Sequence, residues 1–247
     1  MADNNLNIEI IFEDEDIVVV TKPPGMLSIP DRYDPKLISA DKVLRKKYGN
    51  IFVVHRLDKE TSGVMVFAKN AGAHKHLNTQ FQEQQVKKIY HAILSGILPK
   101  DEIEIDIPLM THPGKKGEMI PSVRGKESLS VFRIIEKFRM ATLVEVDLVT
   151  GRQHQLRAHA SALGFPLLVD SIYGDQDAFY VSSVKKRFNL KKGTEEKPLM
   201  DRITMHSYEL SFIHPGSGEK LSFKTEYPKD FSAALRILRK YAPPPSF

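Results

Sequence analysis

The chain has no cysteine and no tryptophan among its 247 residues. Without a thiol there can be no disulfide, no cysteine nucleophile and no thiolate-bound metal, and the missing disulfides fit a reducing, cytoplasmic compartment. The lack of tryptophan weighs against a cleft built to stack sugars. No apolar run approaches the roughly 20 residues that a membrane-spanning helix needs. The opening Met1-Ala2-Asp3-Asn4-Asn5 has neither the basic nor the apolar region of a signal peptide. Repeats, low-complexity tracts and a Gly/Ser linker are missing too, as are the phosphate-cradling P-loop, the GxGxxG turn and the GxSxG elbow. Nine histidines are present, but their spacing argues against a metal. His154 and His159 are displaced by roughly 140° around a helix, and His74 and His76 also diverge, so neither pair shares a face as ligands four apart would.

Forty-one per cent hydrophobic residues over this length are enough for a globular core. The formal charge of +5 suits an anionic partner such as a phosphate backbone, although many basic proteins bind no nucleic acid. Strand-like alternation or apolar runs fall at about residues 8–12, 17–21, 51–55, 64–69, 87–95, 103–107, 129–138, 141–149, 205–213 and 221–225. Helical periodicity is rarer. Ser39 suits the cap of a helix that ends near Gly49 and turns Val43 and Leu44 inward. Others are expected from Ala71 to Gln84, with Leu77 and Phe81 on one face, and from Arg152 to Leu163, stopped by Gly164. Phe231, Leu235 and Leu238 mark a last helix before Pro243-Pro244-Pro245. Strands joined by short turns, such as Pro215-Gly216-Ser217-Gly218, predict an α+β fold: a mixed, mainly antiparallel sheet flanked by helices. Residues 1–247 read as one domain. A basic insertion at about residues 175–203, centred on 185–197, interrupts the pattern, and it suits either a solvated excursion or an RNA-backbone contact.

The most informative stretch is His55-Arg56-Leu57-Asp58-Lys59-Glu60-Thr61-Ser62-Gly63, a loop between the apolar runs Ile51–Val54 and Val64–Ala68. A loop aspartate commonly caps its own turn, so Asp58 on chemistry alone bonds the amide of Glu60 or Thr61. Asp58 with Glu60 would also suit a glycosidase pair, whose carboxylates lie about 5–9 Å apart. Tyr90, in the alternating Lys88–Leu94 run, suits a half-buried strand filler. Arg157 lies about 100° around its helix from Leu156, and reads as a surface ion pair.

The nonapeptide resembles the HRLDxxTSG motif of the RluA-type pseudouridine synthases. Three further stretches resemble that family's motifs, in its order: Ile11–Pro23, ending in Lys-Pro; Lys87-Lys88-Ile89-Tyr90; and Leu148–Arg157, which contains Thr-Gly-Arg-Gln-His-Gln-Leu-Arg. The likeness covers roughly residues 8 to 235. It implies the pseudouridine synthase catalytic fold with an active-site cleft across its sheet, and an enzyme that isomerises uridine within structured ribosomal or transfer RNA without cofactor or metal. It makes Asp58 the catalytic residue, either attacking a sugar carbon or taking the 2′ proton. It has Tyr90 stack on the uracil and Arg157 pair with the aspartate. A stacked uridine must be extruded to react, and Arg56 is implied to fill the gap it leaves, the alternative being an arginine that bridges loop carboxylates. Lys22, Arg152, Lys185, Lys186 and Arg187 are the further expected RNA-binding residues, with Lys22 mainly shaping a turn. An N-terminal RNA-binding module of the S4 type is not expected, nor a membrane partner, and a monomer is. A non-catalytic RNA-binding or ribosome-assembly module of the same fold is the alternative.

Overall fold

The computed structural model describes residues 7–115, 117–190 and 193–244, so Met1–Asn5, Lys191, Lys192 and Pro245 of the sequence reading lie outside the described residues. The chain divides into two compact units, one of residues 1–89 with 206–226, the other of residues 90–205 with 227–247.

The first unit holds strands β1 (Glu9–Glu13), β2 (Ile17–Lys22), β3 (Phe52–Val53), β4 (Ser62–Ala68), most of β11 (Met205–Ile213) and β12 (Lys220–Lys224), with helices α1 (Ala40–Tyr48) and α2 (Ala71–Gln82). Central to it is β4, seven residues all buried. One edge pairs antiparallel with β2 from Ile17↔Ala68 to Lys22↔Gly63. The rest of its pairing is divided: Ser62 and Gly63 run parallel to His206 and Ser207 of β11, while Phe67 and Ala68 pair with β3. β12 returns antiparallel on β11 after the Pro215–Gly218 turn. The strands and α2 enclose a core of Ile17, Val19, Val64, Val66, Leu77, Leu210 and Phe212, with Phe81 packed against it. Ser39 caps α1 through the Lys42 amide, and Gly49 closes it with φ 76°. Leu44 is buried, but Val43 is 36% exposed, against the expectation that both face inward.

In the second unit lie β5 (Lys87–Ser95, whose first three residues belong to the first unit), β6 (Glu102–Asp106), β7 (Leu109–Thr111), β8 (Met119–Pro121), β9 (Leu129–Lys137) and β10 (Ala141–Leu148), with α3 (Gln155–Ala162) and α4 (Lys229–Tyr241). The sheet order is β5-β10-β9-β6, with β9 antiparallel to both β10 and β6, and β7 and β8 form a separate hairpin. α4 buries Phe231, Ala234, Leu235 and Leu238 against Ile93, Phe138, Leu143 and Val169. Antiparallel pairing thus predominates among these registers, β4 and β11 run parallel, and four helices lie among the described residues, which is the α+β class expected.

Two expectations change. The helix expected from Arg152 starts at Gln155, because His154 takes a left-handed conformation (φ 50°) that a right-handed helix cannot include. The basic insertion is not simply solvated. Phe179 N donates to Met200 O (2.7 Å) and Leu199 N to Phe179 O (2.8 Å), closing the segment into a strap. Val184 from that strap sits in the core with Phe179.

Gly63 is the position at which a side chain is least tolerable. Its φ is +123°, and an added Cβ would lie 2.1 Å from the carbonyl oxygen of Ser207. Gly63→Ala is expected to destabilise the protein by about 3 kcal/mol or more, through strain and the lost β4–β11 approach. Urea unfolding of the variant beside the native chain measures this.

Candidate active site

In the first unit, the loop from Val54 to Thr61 joins β3 to β4, and contacts at His55, Leu57 and Lys59 tie it to the elements around it. His55 Nε2 accepts the amide of Val66 in β4 (3.1 Å), and its ring stacks on Phe81 of α2 with centroids 4.8 Å apart. Burial, and then the charge of Lys88, push the His55 pKa down to about 3. The ring is therefore neutral at neutral pH, as its acceptor role requires.

Two residues on, the Ser28 hydroxyl accepts the amide of Leu57 (3.0 Å) and donates to its carbonyl (2.7 Å), standing in for a neighbouring strand. Lys22 is fully buried. Its Nζ donates to the carbonyls of Pro23 (3.0 Å), Met26 (2.7 Å) and Lys59 (3.0 Å). Gly25 N donates to the same Lys59 carbonyl (2.9 Å). Lys22 therefore fastens the Pro23–Met26 turn to the residue after Asp58. As packed, no RNA phosphate can reach it, so the expected RNA contact is replaced by the turn-shaping role.

Asp58 itself is half-buried. The Thr61 amide is used by the backbone carbonyl of Asp58 (3.1 Å), not by its carboxylate. Ser62 Oγ meets His206 Nδ1 (2.9 Å), and Thr225 Oγ1 meets His206 Nε2 (2.9 Å), a buried chain that fixes the end of the loop to β11. Arg56 is exposed. Among the described residues it forms no ion pair, so it does not bridge loop carboxylates.

The second unit carries Tyr90 and Arg157. Tyr90 is 9% exposed, in β5. Arg157 is 5% exposed, not on the surface, because α3 buries every residue from Gln155 to Ala160. Its Nε and Nη2 donate to Asp170 Oδ2 and Oδ1, each at 2.7 Å, in a fork-to-fork pair. Asp170 is itself fully buried and also accepts the amides of Ile172 and Tyr173 (3.0 Å each). Burial works to raise the Asp170 pKa, but the Arg157 hydrogen bonds and charge, with the two amides, outweigh it and hold the carboxyl below its ordinary range. The Tyr173 ring lies 4.9 Å from the Arg157 guanidinium carbon, and its hydroxyl meets His154 Nδ1 (3.1 Å) and accepts the Met119 amide (2.6 Å). The arginine is thus pinned in plane and orientation.

Arg152, before α3, donates from Nε to Glu127 O (2.9 Å). On the strap, Lys185 Nζ lies over the rings of Tyr241 (5.6 Å) and Phe188 (5.9 Å), while Lys186 and Arg187 are exposed. Asp170, Ser28 and His206 were invisible as site residues in the sequence. Each acts through a partner many positions away, and no spacing rule links them.

A family model described as RNA pseudouridylate synthase matches residues 16–162. Ribosomal large subunit pseudouridine synthase D of Pseudomonas aeruginosa is 35% identical over 241 residues, covering 96% of this chain and 73% of that protein. The dual-specificity RNA pseudouridine synthase RluA of Vibrio vulnificus is 39% identical over 215 residues, 85% of this chain and 79% of its own. Among solved structures, human RNA pseudouridylate synthase domain containing 1 aligns with a TM-score of 0.70 at 26% identity, over 92% of this chain and 86% of that one.

Two measurements follow from these contacts. The His55 pKa is lower folded than unfolded, so the stability tied to its neutrality is complete above about pH 6.5 and is lost as pH falls toward 3. That loss amounts to up to about 1.4 kcal/mol per pH unit. Urea midpoints from pH 7 to 4 are expected to show the slope, and His55→Asn to reduce it. Asp170→Ala leaves a buried guanidinium without its partner and is expected to cost about 3–5 kcal/mol, read as a lowered unfolding midpoint.

Proposed function

The chain belongs to the RNA pseudouridylate synthase family and isomerises uridine in RNA, and on that premise we propose that Asp58 is the carboxylate that acts on the ribose. The reaction breaks the bond between N1 of uracil and C1′, turns the detached base, and closes a bond between C5 and C1′. The hydrogen on C5 leaves and N1 gains one, so mass is conserved. Asp58 enters either as a nucleophile on a sugar carbon or as the base that takes the 2′ proton. The observation that best supports this role is the hold on its neighbours. Ser28 fixes both polar groups of Leu57, and Lys22 and Gly25 fix the carbonyl of Lys59, so the carboxylate leaves a main chain with little freedom.

Tyr90 supplies a flat face and a polar tip for a uracil that must be retained while it turns. Arg157, with its plane set by Asp170, is suited to keep a carboxylate ionised and oriented. Arg56, exposed and free of a carboxylate partner among the described residues, is suited to occupy the space from which a uridine is extruded. Lys186 and Arg187 offer exposed charge to the RNA backbone. The isomerisation is redox-neutral overall, and in this reading Asp58, Tyr90 and Arg157 carry it without cofactor or metal.

We take structured ribosomal or transfer RNA as the substrate. One relative is named for the large ribosomal subunit and another for dual specificity. Residues 1–247 act in this reading as one catalytic domain, monomeric and cytoplasmic; no described helix is long and apolar enough to cross a membrane.

Carbodiimide labelling with reverse-transcription mapping, in RNA from cells with and without the gene, identifies the modified uridines. Asp58→Asn is expected to keep its fold and bind RNA within about twofold of the native chain, while isomerisation falls by about 10³-fold or more. Normal turnover by this variant would refute the assignment.

A further inference from the structure

The second unit contains a cleft that the catalytic assignment leaves unused. It has a volume of about 460 Å³ and is lined by the β7–β8 hairpin (Leu109, Met110, Thr111, Met119), the turn Arg124-Gly125-Lys126 and the loop Gly151-Arg152-Gln153. This lies within the roughly 300–1,000 Å³ typical of small-ligand sites. Leu109 and Met119 belong to a small apolar cluster with Ala158 and Tyr173, so the floor is hydrocarbon and thioether. The rim is cationic. Among the described residues Arg124, Lys126 and Arg152 form no ion pair, whereas the nearby Glu118 carboxylate is taken by Lys115 (3.3 Å). Three cations gathered without a counterion repel one another, a cost that an anionic ligand would relieve.

The cations are also held in place before any ligand arrives. Gly125 N donates to Ser122 O (2.8 Å), Lys126 N to Leu109 O (2.8 Å) and Leu109 N to Lys126 O (3.0 Å), which closes a tight turn against the hairpin. A Cβ on Gly125 would lie 2.5 Å from the carbonyl carbon of Leu109. Only glycine lets the turn press this close, and it sets Arg124 and Lys126 on either side of the contact. Arg152 is anchored through Nε to the Glu127 carbonyl and through its own amide to Gln155 Oε1 (2.9 Å).

We propose that this cleft is a nucleotide subsite: Arg124, Lys126 and Arg152 each take a phosphate of neighbouring nucleotides on the substrate strand, and a ribose and base between these phosphates lie against Met110 and Met119. An acidic protein segment would use the cations but has no need of a preformed apolar floor between them. The inference rests on the reading of the chain as an enzyme that binds structured RNA.

The test uses the full chain and an RNA transcript spanning a uridine that the native enzyme modifies in the mapping experiment. Binding is measured by fluorescence anisotropy across salt concentrations, for the native chain, Arg124→Ala/Lys126→Ala, Arg152→Gln, and Lys137→Ala as a surface control. The double variant is expected to weaken binding about tenfold or more and to reduce the slope of log Kd against log salt by about 1.5–2, one phosphate contact per cation removed. Arg152→Gln should reduce it by a little under 1, and the control should leave it unchanged. Met110→Ser keeps all three cations and adds no charge, and it should weaken binding with little change in slope, which separates the floor from the rim. If the double variant melts at the native temperature and keeps the native slope while the native enzyme still isomerises the RNA, the subsite is overturned and the function stands. If the native chain isomerises no RNA, the functional reading falls first.

Discussion

One buried ammonium group holds the loop that matters most. Lys22 gives hydrogen bonds to the carbonyls of Pro23, Met26 and Lys59 from a position with no solvent exposure. Burying a lysine costs several kcal/mol unless its donors are met, and here backbone oxygens meet them. A segment near the N-terminus is thereby tied to the residue following Asp58. Ser28 continues the same tie one step upstream at Leu57, and His55 extends it to β4 and α2. The loop holds no helix or strand, yet both backbone groups of Leu57 and the carbonyl of Lys59, the residues that flank Asp58, have partners elsewhere in the first unit. A carboxylate placed on such a loop inherits its rigidity.

The second unit applies the same logic to a different charge. Arg157 is held by two short bonds to Asp170, and Asp170 in turn by two amides. Tyr173 lies against the guanidinium and meets His154 through its hydroxyl. A long, flexible side chain has lost its rotational freedom before any reaction begins, so none of that entropy need be removed later.

The strands were largely legible because alternation and apolar runs report burial directly. β2, β4, β5, β9, β10, β11 and β12 fall within two or three residues of the expected ranges. β7 and β8 were not legible, since three residues each carry no period to detect. The 51–55 run shrinks to Phe52–Val53 because the Val66 amide is taken by the His55 side chain instead of by a continuing strand. α3 departs from the sequence reading in its start and in the burial of Arg157. Its eight residues include glutamine, arginine and histidine, which a periodicity argument sends to solvent. They are buried because each has a specific acceptor or donor: Gln155 bonds Thr150, Leu129 and Ser130, and His159 bonds Ser130 and the Ile107 carbonyl. In the candidate site, the motifs named Asp58, Tyr90 and Arg157, and also contained Lys22 and His55, while Ser28, Asp170 and His206, which brace the loop and the arginine, carry no local signature.

The junction of Gly63 with Ser207, reinforced by Ser62 on His206 and His206 on Thr225, joins positions more than 140 residues apart. Contacts of such long sequence separation form late. While the chain is being synthesised, the ties from Lys22, Ser28 and His55 can therefore close once residue 81 has emerged, whereas the loop's last anchor, at Ser62 and Gly63, waits for His206, Ser207 and Thr225. The loop is thus secured from its upstream side first, and its seam with β11 closes only after more than 140 further residues have been made.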